Sequence, residues 1–144
     1  VLSIGKIRGL QQISSPEGVF VICAMGHRES LKGMIAQGHP GEVSCQEMVD
    51  HKRELCETLA PHATAVLLDP NCGVAQCIAA GVLPGRTGLL ISMEATGYLG
   101  SAERRRTVLQ QDLSVEKVRR VGGSGAKLLL HYRPDLPKIA AHLS

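Results

Sequence analysis

The chain has 144 residues, 44% of them hydrophobic and 20% charged, with a formal net charge of +3. That length fits a single domain over residues 1–144, with a core large enough to need no disulfide or metal staple. Phe20, Tyr98 and Tyr132 are the sole aromatics, which weighs against base-stacking nucleic-acid modules, and no apolar run reaches the roughly 18–20 residues of a membrane span.

Ile4, Ile7, Leu10 and Ile13 recur at helical spacing, and Ser14-Ser15-Pro16 ends the helix they predict. Gly18 to Met25 is a continuous apolar run rich in β-branched residues and reads as a buried strand. Arg28 to Gln37 reads as a helix broken by Gly38-His39-Pro40-Gly41. Ser44 and Glu47 form a capping-box pattern, and the helix it starts carries Met48, Lys52, Leu55, Cys56 and Leu59 on one face before Pro61. Thr64 to Asp69 is a second strand, Gly73 to Ala80 a short helix closed by Gly81, and Gly88 to Glu94 a third strand. After a polar connection, Ser114 caps a helix that Gly122-Gly123 stops. Ala126 to Tyr132 is a fourth strand, and Pro134 to Ser144 opens a further helix. Strands that are unbroken apolar runs, alternating with helices and joined by long crossovers, predict an α/β fold with a parallel sheet.

Five cysteines (Cys23, Cys45, Cys56, Cys72, Cys77) without a C-x-x-C pair read as reduced thiols and point to a cytoplasmic protein. The six histidines (His27, His39, His51, His62, His131, His142) make no zinc spacing, so no metal is expected. Lys6 and Arg8 lie among apolar residues instead of preceding them, unlike a signal peptide. Arg104-Arg105-Arg106 and Arg119-Arg120 read as solvated runs, and no nucleic-acid partner is expected from so small a net charge. Gly122-Gly123-Ser124-Gly125 follows a helix instead of opening one, so it is a helix stop and not a phosphate cradle.

Ionisable residues gather where the strands end: Gly26-His27-Arg28, Asp69, Glu94 and His131-Tyr132-Arg133. Ligands of parallel α/β proteins bind at the carboxyl ends of strands. Strand alternation puts Lys127, Leu129 and His131 on one face. A lysine inside a buried strand must pair, lose its proton or reach solvent. It is therefore a candidate nucleophile or proton relay, with a snorkelling lysine as the plain alternative. Asp69 and Glu94 are candidate acids or bases, or ion-pair partners of Arg28 and Lys127.

Five stretches, in order, carry a family resemblance: Ile7 to Gln12 (IRGLQQ), Met25 to Lys32 (MGHRESLK), Ala65 to Pro70 (AVLLDP), Met93 to Tyr98 (MEATGY) and Gly125 to Tyr132 (GAKLLLHY). The sequence resembles the amino-terminal half of the class I tagatose 1,6-bisphosphate aldolases, a family that includes the sulfofructosephosphate aldolases. The resemblance implies the first four βα units of a (β/α)8 TIM barrel. It also implies a metal-free and cofactor-free reaction, in which a lysine imine takes the electron pair released when a phosphorylated ketose is cleaved. Lys127 corresponds to an active-site lysine on the family's fourth strand. The imine lysine and the catalytic glutamate come from later strands without counterparts here, so Lys127 is given an auxiliary role. His27, Arg28, Asp69 and Glu94 are expected to bind substrate. The family's Asp-Gln-Arg at the first strand's end is here Gly26-His27-Arg28. The chain is thus expected to be a truncated half-barrel, inactive alone, that pairs with itself or with a carboxyl-terminal half. The alternative is a non-catalytic α/β domain that binds a phosphorylated sugar or a protein partner.

Overall fold

A computed structural model of the chain describes residues 1–36, 40–95 and 107–130. Tyr98, the Arg104–Arg106 run, the His131-Tyr132-Arg133 cluster and the helix expected after Pro134 lie outside the described residues. The described elements are α1 (Ile4–Ile13), β1 (Ile22–Ala24), α2 (Glu29–Ile35), α3 (Cys45–Leu59), β2 (Ala65–Leu68), α4 (Val74–Ala79), β3 (Gly88–Ser92), α5 (Val115–Arg120) and β4 (Gly125–Lys127). Four parallel strands pair in chain order, β1-β2-β3-β4. Strands alternating with helices and ordered sequentially make the α/β arrangement expected of successive βα units.

Helix boundaries follow local chemistry closely. The Ser44–Glu47 capping box forms in both directions at the start of α3, and the Ser114 side chain accepts from the Lys117 amide at the start of α5. Gly81 (φ 70°) and Gly122 (φ 89°) take the left-handed conformations that end α4 and α5 at little steric cost.

The strands are shorter than their apolar runs. The first run, Gly18 to Met25, yields only β1, because Gly18 (φ 81°) sits in a turn and its amide bonds Ser15. That run is not buried as expected: Val19, Phe20, Val21 and Ile22 are each 41–55% exposed. Among the described residues β1 has β2 as its only strand neighbour, so one edge and part of a face stay open. The fourth run is similar, with Leu128 and Leu130 half-exposed beyond β4.

The core lies between one face of the sheet and helices α3, α4 and α5. Val66, Leu68, Leu89 and Ile91 meet Cys56, Val74, Cys77 and Val118 there, all buried. The opposite face carries Ala24, Leu67, Ser92 and Lys127, which line a cleft at the carboxyl ends of the strands. At the amino ends, α1 packs across the sheet. A Cβ on Gly88 would collide with the Gln12 carbonyl oxygen, and one on Gly9 would lie 2.9 Å from the Ser124 carbonyl oxygen. Glycine is what permits that approach.

Candidate functional site

The cleft has a volume of about 550 Å³ and collects His27, Arg28, Glu29, Ser92, Glu94 and Lys127. The register explains the meeting. Ser92 pairs with Lys127 across β3 and β4, and Glu94 stands two residues beyond Ser92, on the same side of the chain. Lys127 Nζ donates to Glu94 Oε1 at 2.5 Å, and the Leu129 amide donates to Glu94 Oε2 at 3.4 Å. Burial by itself would raise the Glu94 carboxyl. The Lys127 hydrogen bond and charge, with backbone donors, outweigh it and hold the group below the usual carboxylate range. Glu94 is therefore an anion near neutrality and a poor general base.

Arg28 belongs to the same cluster. Its Nη2 donates to the Glu94 carbonyl at 2.8 Å, which fixes the side chain over the ends of β1 and β3. Its Nη1 is buried without a partner among the described residues, and so is Ser92 Oγ. Unpaired buried donors are costly, and both of these open hydrogen-bond positions belong to residues that line the cleft. Outside the lining, Gln110 Nε2 braces the exit of β3 by donating to the Ser92 and Glu94 carbonyls at 3.4 and 3.2 Å. His27 is exposed at the rim.

Asp69 does not join them. It is fully buried, away from the cleft, and pairs with Lys52 of α3 instead of Arg28 or Lys127. Its other oxygen, Oδ1, accepts from the Asn71 and Cys72 amides at 3.0 and 2.9 Å. Lys52 Nζ also donates to the Met25 carbonyl at 3.1 Å, one residue before Gly26. Asp69 therefore steadies the strand ends from beneath and does not reach a ligand in the cleft. Sequence reasoning missed Ser92, Gln110 and Lys52. The available signals were a serine inside an apolar strand, two residues before Glu94, and a lysine on the apolar face of α3.

Comparison with known proteins adds similarity in sequence. Over 133 residues the chain is 37% identical to the tagatose 1,6-diphosphate aldolase of Listeria monocytogenes serotype 4a, covering 92% of this chain and 38% of the relative. The tagatose 1,6-diphosphate aldolase 2 of Streptococcus mutans serotype c is 32% identical over 135 residues, 94% of this chain and 40% of the relative. In sequence, the chain is similar to tagatose 1,6-diphosphate aldolases over most of its own length. It spans about two-fifths of the length of these curated aldolases. No family model matches it. The stretches that carry the aldolase resemblance fall on α1, the exit of β1, β2 and the exits of β3 and β4. Three of them, Met25 to Lys32, Met93 to Tyr98 and Gly125 to Tyr132, supply residues to the cleft. Among the described residues no cluster of His, Cys, Asp and Glu could hold a metal, and no helix is long and apolar enough to cross a membrane.

The Glu94 contacts make a pH prediction. A carboxylate whose folded pKa lies below its ordinary value of 4.5 stabilises the fold above that pH, and this contribution is lost as pH falls through the lowered pKa. Glu94→Gln is therefore expected to flatten the acid side of the stability profile below about pH 4.5. Urea midpoints measured across that range check it, and an acid limb as steep as in the parent protein contradicts it.

Proposed function

We propose that these residues form the amino-terminal four βα units of a (β/α)8 barrel in a class I, Schiff-base aldolase that cleaves a phosphorylated ketose such as tagatose 1,6-bisphosphate. The observation that carries this reading is the Arg28–Glu94–Lys127 cluster at the carboxyl ends of parallel strands, where barrel enzymes hold substrate, in a chain related to aldolases. The apolar surfaces at Phe20 and Ile22 on one edge, and Leu128 and Leu130 on the other, are what closure by further units would cover.

In this reading the imine forms on a lysine of a later strand, and its protonated nitrogen takes the electron pair of the breaking carbon–carbon bond. Lys127 supplies a fixed positive charge beside that lysine. Such a charge favours the neutral, nucleophilic amine and the attraction of an anionic substrate. Glu94 keeps the Lys127 ammonium in place. Arg28 Nη1 and Ser92 Oγ offer hydrogen bonds to hydroxyl or phosphate oxygens, and His27 stands at the entrance. No cofactor is required. The protein acts in the cytoplasm, and its four units are completed by a carboxyl-terminal half or by a second copy. Alone they are inactive.

Borohydride reduction in the presence of dihydroxyacetone phosphate, followed by peptide mapping, tests the proposal. In a longer protein containing this sequence the adduct is expected on a lysine outside residues 1–144. An adduct on Lys127 overturns its auxiliary role, and the absence of any adduct overturns the aldolase reading. Gly26, where the resemblance expects an aspartate, favours a second reading as a non-catalytic phosphosugar-binding domain. That reading predicts ligand binding without cleavage.

A further inference from the structure

Two thiols meet at the start of α3. Cys45 is the first residue of α3 and Cys72 lies on the turn after β2, with their Sγ atoms 3.4 Å apart. Both are held by structure that does not depend on the contact. The Ser44–Glu47 capping box fixes the start of α3. Asp69 Oδ1, itself on a carboxylate paired with Lys52, accepts the Cys72 amide at 2.9 Å. Of the five cysteines Cys45 is the exposed one, Cys72 and Cys23 are half-buried, and Cys56 and Cys77 are sealed in the core.

We propose that Cys45 and Cys72 form a redox-active dithiol that closes to a disulfide on reaction with a peroxide. Cys45, open to solvent, attacks the O–O bond and becomes a sulfenic acid, and the released hydroxide leaves as water with the thiol proton. The Cys72 sulfur then attacks the Cys45 sulfur. The S–O bond breaks, and the oxygen departs as a second water carrying the Cys72 proton. Two thiols are oxidised, one peroxide is reduced and two waters form. The sulfurs must close from van der Waals contact to about 2.05 Å, a movement that the exposed Cys45 side chain can supply. Burial, the neighbouring thiol and the Asp69 charge push the Cys72 thiol up to about 11. It therefore stays protonated near neutrality, so the first attack on the peroxide falls to the exposed Cys45 and not to Cys72. The inference is independent of the aldolase reading, because neither sulfur lines the cleft.

Hydrogen peroxide treatment of the protein, free-thiol titration and non-reducing peptide mapping test it. The expected result is the loss of two free thiols, a peptide joining Cys45 to Cys72, and full reversal by dithiothreitol. Cys72→Ser is expected to stop the reaction at a Cys45 sulfenic acid that dimedone traps, and Cys45→Ser to abolish the linked peptide. Cys45 is exposed, so its replacement leaves folding intact, which circular dichroism checks. A linkage of Cys45 to any other cysteine, linkage between chains, or loss of two thiols undiminished in Cys45→Ser overturns the proposal.

Discussion

Asp69→Ala is expected to destabilise the protein by about 3–5 kcal/mol, the usual cost of removing one partner of a buried ion pair. Lys52 is completely buried, and without Asp69 its ammonium keeps a single acceptor, the Met25 carbonyl. Three donors facing one acceptor in a low-dielectric interior is an unstable arrangement. The same substitution also removes the acceptor of the Asn71 and Cys72 amides, so the turn entering α4 loosens with it. Urea unfolding measures the cost as a lower midpoint. The double variant Lys52→Met with Asp69→Asn is expected to recover most of the loss, since it removes both charges and leaves Oδ1 for the two amides. A cost under about 1 kcal/mol for Asp69→Ala would mean that the pair behaves like a surface salt bridge, and the assignment would fail.

The second large effect concerns activity. In an aldolase that uses this cleft, Lys127→Met is expected to lower kcat/KM by about 10²–10⁴-fold, the range of a positioned charged or proton-transferring group. Stability is expected to change little. The Lys127–Glu94 pair is partly open to solvent, with the lysine side chain 33% exposed, and such pairs contribute about 0–1 kcal/mol. Lys127→Arg keeps the positive charge and is expected to restore part of the rate if charge is the contribution. It restores none if Lys127 moves a proton. Steady-state kinetics with the unfolding midpoint unchanged separates these outcomes, and full activity in Lys127→Met excludes the residue from the chemistry.

These two lysines show what sequence could and could not reveal. Lys127 was visible because it interrupts an apolar strand, and Glu94 because it ends one; the expected pairing between them is present. Lys52 also stood on the apolar face of its helix. Nothing in one dimension joined it to Asp69, because that contact depends on how far α3 tilts over the end of β2. Asp69 was expected among the substrate-binding residues because it ends a strand, and ligands of parallel α/β proteins bind at the carboxyl ends of strands. Here the strand stops at Leu68, and the turn through Asn71 and Cys72 swings the carboxylate into the helical layer. Helix limits were legible through Ser44, Ser114, Gly81 and Gly122, whose effects are local. Strand limits and burial were not, because they depend on neighbours: Val19, Phe20 and Val21 have the composition of a core strand and lie on an open edge.

Gly26 also bears on the charge of the cleft. A Cβ there would meet the Leu67 side chain at 3.5 Å and Ser92 Oγ at 3.8 Å, ordinary contact distances. The backbone therefore does not demand glycine, and a Cβ at this position fits at ordinary contact distances. What the residue at position 26 affects is the charge balance of the cleft. Arg28 and Lys127 face Glu29 and Glu94 there, two cations against two anions near neutrality. A carboxylate at position 26 would tip that balance toward repelling anionic ligands. With glycine there, the hollow carries one negative charge fewer than the aspartate implied by the resemblance would give it.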